Sequence, residues 1–157
     1  RLRHYLPACD AHSITQVVCC LAKIMERRPD WSGRADQPRL STVITDSVEG
    51  VIGTISAKDI ARTLWALSEL QVTRVKLLQR LSERAIELCG LMGGSELATV
   101  SWAMARFGML HTRLMRGIFR RSQQPGVLET FTPQHVAQML WSMAVLEARS
   151  GPMLTRL

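Results

Sequence analysis

Side chains that could carry out catalysis are scattered along this 157-residue chain instead of being grouped. None of its histidines has a carboxylate or a nucleophile at a spacing typical of acid–base or nucleophilic catalysis. There is also no glycine-rich phosphate loop and no nucleophile elbow. The four histidines are His4, His12, His111 and His135. We therefore predict a protein that is not an enzyme and that uses no cofactor and no small-molecule substrate.

The cysteines do not form a zinc or redox motif. Adjacent Cys19 and Cys20 would point about 100° apart on a helix, so they are poorly placed to bind one ion together. His4, Cys9 and His12 form at most a partial ligand set without an evident fourth member. The four cysteines are Cys9, Cys19, Cys20 and Cys89. We predict free thiols buried in helices, in a reducing compartment, and no metal site.

The charge of the chain favours a polyanionic partner. Lysine and arginine total 20 residues against 13 acidic ones, which gives a formal net charge of +7. Seventeen of the basic residues are arginines, whose guanidinium groups bind phosphate in a bidentate manner and stack on bases. This balance indicates RNA over a membrane surface, although the codon composition of the source genome would also enrich arginine. No run of about 18 apolar residues is present to cross a bilayer.

Arginine and lysine residues concentrate in two predicted helices. The later one has an outer face without any acidic residue, whereas Glu83 and Glu87 interrupt the earlier one. We predict that these basic residues bind RNA phosphates, with an ordinary solvated surface as the competing explanation. The predicted phosphate-binding residues are Arg113, Arg116, Arg120, Arg121, Arg74, Lys76, Arg80 and Arg84.

A twelve-residue hydrophobic phrase recurs four times and defines the elements that position these side chains. Its clearest copy runs from Asp59 to Leu70, and equivalent positions are separated by steps of 46, 37 and 39 residues. The copies are Ser13–Ile24, Asp59–Leu70, Glu96–Phe107 and His135–Leu146. Steps of this size are typical of two-helix units that stack into a solenoid. With 46% apolar residues, the chain can form the core that such a stack needs.

We therefore predict an all-α fold, an α-solenoid of about four stacked two-helix repeats in one array over residues 1–157. The predicted units cover residues 10–53, 54–92, 93–130 and 131–157, with an inserted loop at 27–40 and an incomplete last unit. The loop is predicted because Pro29, Gly33 and Pro38 disfavour a continuous helix, and a short helix is expected at 40–51.

Helix boundaries can be read from capping residues. Ser56, Ser95 and Thr132 followed by Pro133 are predicted to begin the first helices of the last three units. Gly93 and Gly94 are predicted to end a unit because glycine tolerates positive φ. Second helices are predicted at 73–91 and 111–124. The predicted buried stripe of the earlier one is Val75, Leu78, Leu81, Ala85 and Leu88.

The tryptophans and a polar column share the first helix of each unit. Trp65, Trp102 and Trp141 have small residues next to them, so we predict that they pack in the core and do not stack on bases, while Trp31 stays unassigned. A second column changes residue type from copy to copy, which is expected of a surface that reads one nucleotide per repeat. Hydrogen bonding within the stack explains it equally well. These base-facing candidates are Gln16, Arg62, Thr99 and Gln138.

The phrases at Ile60–Leu70 and Phe131–Ala144 resemble the first helix of octotricopeptide and heptatricopeptide repeats, and they are similar to the helical repeats of FAST-kinase-like and RAP proteins. This resemblance covers most of the chain after Asp10. It implies an RNA-binding α-solenoid in an organelle, with the mitochondrial matrix favoured. No RAP module is recognised in the sequence.

Together, these features predict an RNA-binding helical-repeat protein of a mitochondrial ribosome, which contacts ribosomal RNA and neighbouring proteins of the ribonucleoprotein particle. Two alternatives remain open. One is a protein–protein interaction scaffold without direct RNA contact, and the other is a transcript-specific factor for RNA maturation or stability.

Overall fold

The computed structural model describes residues 9–27 and 37–150, and this part of the chain is helical without any strand. Its α-helices are α1 (Ala11–Arg27), α2 (Gln37–Val51), α3 (Ala57–Glu69), α4 (Val75–Leu88), α5 (Gly94–Phe107), α6 (Thr112–Ser122), α7 (Pro125–Leu128) and α8 (Pro133–Ser150). Short 3-10 turns, Ile52–Thr54 and Cys89–Leu91, follow α2 and α4. The predicted all-α class is confirmed. Among the described helices, none is both long and apolar enough to cross a membrane.

The first helices begin at the spacing of the recurring phrase. Helices α1, α3, α5 and α8 start at Ala11, Ala57, Gly94 and Pro133, so the steps between them are 46, 37 and 39 residues. These are the steps measured between copies of the phrase in the sequence. Each copy of the phrase therefore begins at the same point of its helix, two residues after the helix start.

Two of the three predicted helix starts are confirmed. The Ser56 hydroxyl accepts the backbone N–H of Asp59 at 3.1 Å, which satisfies a free amide at the start of α3. At α8, Thr132 Oγ1 accepts the N–H of His135 at 3.3 Å and Pro133 is the first helical residue.

The predicted start at Ser95 is wrong, because α5 begins earlier. Its N-cap is Gly93, and the Glu96 carboxylate reaches back to accept the N–H of Gly93 at 3.1 Å. Ser95 therefore lies inside the first turn. A carboxylate three residues after the N-cap stabilises the helix start without a hydroxyl there.

Gly94 is required for packing and not for a left-handed backbone. Within the described residues, positive φ occurs at Gln71 and Gly108, so the predicted role of Gly93 and Gly94 is wrong. A Cβ at Gly94 would lie 2.9 Å from Cδ2 of Phe131 and 3.0 Å from the carbonyl oxygen of Thr130. The glycine therefore lets the segment before α8 approach the start of α5 closely.

In the first unit, the helices extend into the stretch predicted to be an inserted loop. Helix α1 continues to Arg27, and α2 begins at Gln37, inside the stretch that was predicted to be a loop from 27 to 40. Pro38 is accommodated because it lies in the first turn of α2, where a missing N–H costs no helical hydrogen bond. Residues 28–36, including Trp31, are outside the described part of the chain.

The first helices pack side by side in the order α1, α3, α5, α8. Each of the helices α2, α4 and α6 contacts the first helix that precedes it, and α4 also contacts α6. The core lies between these elements, where Ile60, Leu64, Leu97 and Met104 are fully buried.

The second helices bury a stripe that differs slightly from the predicted one. In α4, Leu78, Leu81 and Ala85 are buried as predicted, but Val75 is exposed and Leu77 is buried in its place. Val75 is the first residue of α4, so this difference between the predicted and observed stripes lies at the start of the helix.

Candidate nucleic-acid interface

The predicted base-facing column lies on four helices that pack side by side. Gln16, Arg62, Thr99 and Gln138 belong to α1, α3, α5 and α8, respectively. Gln16 is exposed and the other three are half-buried, while the adjoining rows of α3 and α5 are buried. Because consecutive first helices are in contact, the column crosses the molecule from one helix to the next.

Two members of this column have their polar groups occupied within the fold. The Gln16 amide donates to Nε2 of His12 at 2.7 Å, and the Thr99 hydroxyl donates to the carbonyl of Ser95 at 2.8 Å. For the side chains of Arg62 and Gln138, no hydrogen bond is found among the described residues. These two are therefore the members best placed to contact a ligand.

The prediction that the tryptophans are core residues is wrong for Trp141 and only partly right for the others. Trp65 packs against the core but remains half-buried, Trp102 is also half-buried, and Trp141 is 46% exposed. The small residue that follows each tryptophan is fully buried instead. These small residues are Ala66, Ala103 and Ser142. Close contact between adjacent helices requires a small side chain, so the tryptophans lie at the edge of the contact and reach the surface.

On α3, α5 and α8, the tryptophans, the polar column and neighbouring basic residues form one surface, which we call the tryptophan face. It consists of Lys58, Arg62, Trp65, Thr99, Trp102, Arg106, Gln138 and Trp141. Within each helix these residues recur at steps of three or four, which is the spacing of one helix face. The Arg106 guanidinium lies 5.1 Å from the centroid of the Trp102 ring, in a cation–π contact.

Side-chain bonds fix the first helices α1, α3 and α5 against one another. The imidazole of His12 donates to Oδ1 of Asp59 at 3.1 Å, which links α1 to α3. A buried hydrogen bond of 3.0 Å between the hydroxyls of Thr15 and Thr63 supports the same contact. An ion pair of 3.7 Å from Arg106 to Glu69 links α5 to α3. Helices α3 and α5, which carry six of the eight residues of the tryptophan face, are therefore held against each other.

Most of the predicted phosphate-binding residues on the second helices form ion pairs or hydrogen bonds with other residues of the protein. Ion pairs join Arg80 to Glu49 at 3.7 Å, Arg84 to Glu87 at 2.7 Å and Arg113 to Glu83 at 3.5 Å. Arg74 donates to the hydroxyl of Thr42 at 3.2 Å. Acidic partners reduce the positive potential that these arginines would offer to a phosphate.

The remaining four predicted residues divide into two groups. Lys76, Arg116 and Arg120 are exposed, and no ion pair is found for them among the described residues. Arg121 donates from Nε to the carbonyl of Met92 at 3.2 Å and from Nη1 to Gln124. Arg121 thereby holds the end of α6 against the turn that precedes α5, so two of its five N–H donors are used within the fold.

Cys19, Cys20 and Cys89 are free thiols, as predicted, but not all of the cysteines are buried. Cys19 and Cys89 are buried, Cys9 is half-buried and Cys20 is exposed. Burial raises the pKa of the Cys19 and Cys89 thiols above the usual range, which disfavours the thiolate form needed for metal binding and reactivity. Within the described residues, no group of three potential ligands could hold a metal ion.

Sequence reasoning missed the basic residues of the tryptophan face other than Arg62. Lys58 lies one turn before Arg62, and Arg106 lies one turn after Trp102. Their spacing from the column was visible in the sequence. We instead predicted phosphate binding on the second helices, because basic residues are more numerous there. That prediction did not anticipate how many of these residues pair with Glu49, Glu83 and Glu87.

Comparison with known proteins identifies a family. The model of the RNA-editing substrate-binding complex 6 protein family matches residues 34–151, well over half of the chain. No curated protein matches the sequence significantly. The match gives no support to the octotricopeptide type in particular or to a ribosomal protein. The chain belongs to the family of RNA-editing substrate-binding complex 6 proteins.

Proposed function

We propose that this protein is a non-enzymatic RNA-binding component of an RNA-editing substrate-binding complex in mitochondria. Family membership is the observation that carries the proposal. The net charge of +7 supports contact with RNA. The expected role in a mitochondrial ribosome is replaced by the alternative of an RNA-maturation factor, which the family description favours.

The proposed architecture is a short α-solenoid of two-helix repeats. It is supported by the helix starts at steps of 46, 37 and 39 residues and by the side-by-side packing of α1, α3, α5 and α8. In such a stack, equivalent side chains of neighbouring helices repeat at the interaxial distance of about 8–10 Å. Repeated side chains at this interval form an extended surface suited to a linear ligand.

We assign RNA contact to the tryptophan face. Proteins that bind single-stranded RNA combine cationic side chains for the backbone with aromatic rings on which bases stack. Arg62 and Lys58 supply charge there, and the half-exposed Trp102 and Trp141 supply rings. The arginines of the second helices are less suitable because ion pairs already involve Arg80, Arg84 and Arg113.

The test is binding of a fluorescently labelled single-stranded RNA of mixed sequence, measured by anisotropy at several salt concentrations. Trp102→Ala and Trp141→Ala should each weaken binding by about 1–3 kcal/mol if a base stacks on that ring. Arg62→Gln should lower the salt slope by about one, because one phosphate contact is lost. Arg116→Gln is the charge-matched control and should leave both quantities near the wild-type values.

Three results would change the assignment. If the combined change of Arg113, Arg116 and Arg120 to Gln abolishes binding while the tryptophan variants bind normally, phosphates are bound on the second helices. If the variants of both surfaces bind normally, the RNA site lies elsewhere on the chain. If the intact protein does not bind RNA at any salt concentration, the scaffold alternative is favoured.

A further inference from the structure

An apolar groove lies between α6 and α8, which we call the terminal groove. Its volume is about 350 Å³. It is lined mainly by Phe119, Phe131, Val136, Met139, Leu140 and Met143. Phe119 is 38% exposed, Val136 44% and Leu140 62%, so large apolar side chains face solvent here. Surfaces of this kind mark sites at which another element docks.

The equivalent side chains of the preceding first helices are covered. Val136 corresponds to Ile60 of α3 and Leu97 of α5, and both of these are fully buried. Leu140 corresponds to Leu64 and Ser101, which are also fully buried. The pattern of residues is therefore the same in α8, but within the described part of the chain no element covers these side chains as it does in α3 and α5.

The fold itself shows what kind of element covers such a surface. Helix α6 packs between α4 and α5 and contacts both. A helix in the terminal groove would pack between α6 and α8 in the same way. The buried residues of α6 are Leu114, Met115 and Ile118, and α4 buries Leu77, Leu78 and Leu81 at the same spacing. The groove is therefore shaped for a helix with apolar residues at positions i, i+1 and i+4.

Charge defines the occupant further. Glu49 on α2 pairs with Arg80 on α4, and Glu83 on α4 pairs with Arg113 on α6, so each second helix offers an acid to the following one. At the position equivalent to Glu83, α6 has Arg120, which is exposed and makes no ion pair with the described residues. A helix in the terminal groove would therefore lie next to the positive charge of Arg120, whereas α6 lies next to the negative charge of Glu83.

We propose that the terminal groove docks an amphipathic helix of a partner protein. The helix carries an acidic residue directly before the first of its apolar residues at i, i+1 and i+4, because Arg113, which pairs with Glu83, directly precedes Leu114. Residues 151–157 include Met153, Leu154, Arg156 and Leu157 but no acidic residue, so these seven residues do not supply the required charge. This proposal is independent of RNA binding.

A peptide probe tests the groove directly. The probe is the α4 sequence Val75–Leu88 with Lys76→Glu, labelled and added to the intact protein, because Lys76 is the equivalent of Arg113. Anisotropy should show saturable binding, and the double variant Val136→Asp with Leu140→Asp should weaken it at least about tenfold. Leu91→Asp is the matched control, since Leu91 is 75% exposed but lies outside the groove. Melting temperatures of both variants verify folding.

A charge exchange tests the acidic requirement. Arg120→Glu should weaken binding of the Lys76→Glu peptide and strengthen binding of the unchanged α4 peptide. Equal affinities of the two peptides for both proteins would overturn the electrostatic part of the proposal, and binding unaffected by the groove variant would overturn the docking site.

The native occupant is identified with a photo-crosslinking amino acid at position 140 in the protein purified with its complex. A crosslinked partner peptide with the acidic and apolar pattern supports the proposal. Crosslinks to the segment after Ser150, to a second copy of the chain, or to RNA would each overturn it. Leu91 carries the crosslinker in the control.

Discussion

At the residue scale, the side chain that follows each tryptophan decides where the tryptophan lies. Ala66 and Ala103 are fully buried, whereas Trp65 and Trp102 are half-buried one position earlier. Neighbouring helix backbones approach closely only where a small side chain separates them, so alanine takes the contact and the indole ring lies at its edge. The sequence showed both residue types but not which of them faced the neighbouring helix.

Substitution of the small buried residues should therefore lower the free energy of unfolding more than substitution of the much larger tryptophans. Ala103→Leu should destabilise the protein by about 1–3 kcal/mol, because added carbons have no room at a fully buried contact. Trp141→Ala should cost less than about 1 kcal/mol, since almost half of that side chain is in solvent. Urea denaturation monitored by circular dichroism measures both. A larger loss for Trp141→Ala would contradict this account of the packing.

At the element scale, first helices of similar sequence are capped at their N-termini by different groups. A serine hydroxyl begins α3, a glutamate that reaches back begins α5, and Thr132 with Pro133 begins α8. The recurring phrase made the existence and phase of these helices predictable, because its hydrophobic period requires a helix. The boundary of α5 was less predictable because both Gly93 and Ser95 are residues favoured at helix starts.

Alanine substitution of the two serines distinguishes a cap from a first-turn residue. Ser56→Ala should lower the free energy of unfolding by about 1 kcal/mol, because the N–H of Asp59 loses its acceptor. Ser95→Ala should change it by no more than about 0.5 kcal/mol, since Ser95 is exposed inside the helix. Thermal and urea unfolding give both values. Equal losses would mean that the hydroxyl of Ser95 also caps α5.

At the scale of the whole molecule, the helices differ in how many neighbours they have. Helices α3 and α5 each contact a first helix on both sides and a second helix, whereas α1 and α8 each have a first helix on one side. In the α-solenoid that we propose, stability should be close to a sum of local contributions and contacts between neighbours. The central helices should therefore be the most resistant to local opening.

Native-state hydrogen exchange measures this difference. Backbone amides in the middle of α3 and α5 should exchange more slowly than those of α8 by about tenfold or more, because among the described residues no second helix follows and covers α8 as α4 covers α3 and α6 covers α5. Binding of the acidic probe peptide should slow exchange in α8 and leave α3 unchanged. Equal protection of α8 and α5 in the free protein would argue against an uncovered terminal groove.

By itself, the sequence determined the all-α class and the phase of the first helices, because these depend on periodic spacing and local capping. Tertiary structure alone decided which surfaces are available. Pairing of Glu49 with Arg80 and of Glu83 with Arg113 joins residues that are about thirty positions apart in the chain, so it could not be read from either helix separately. The exposure of Trp141 and Leu140 likewise depends on which neighbours pack against α8, and a hydrophobic pattern is the same whether its partner is present or not.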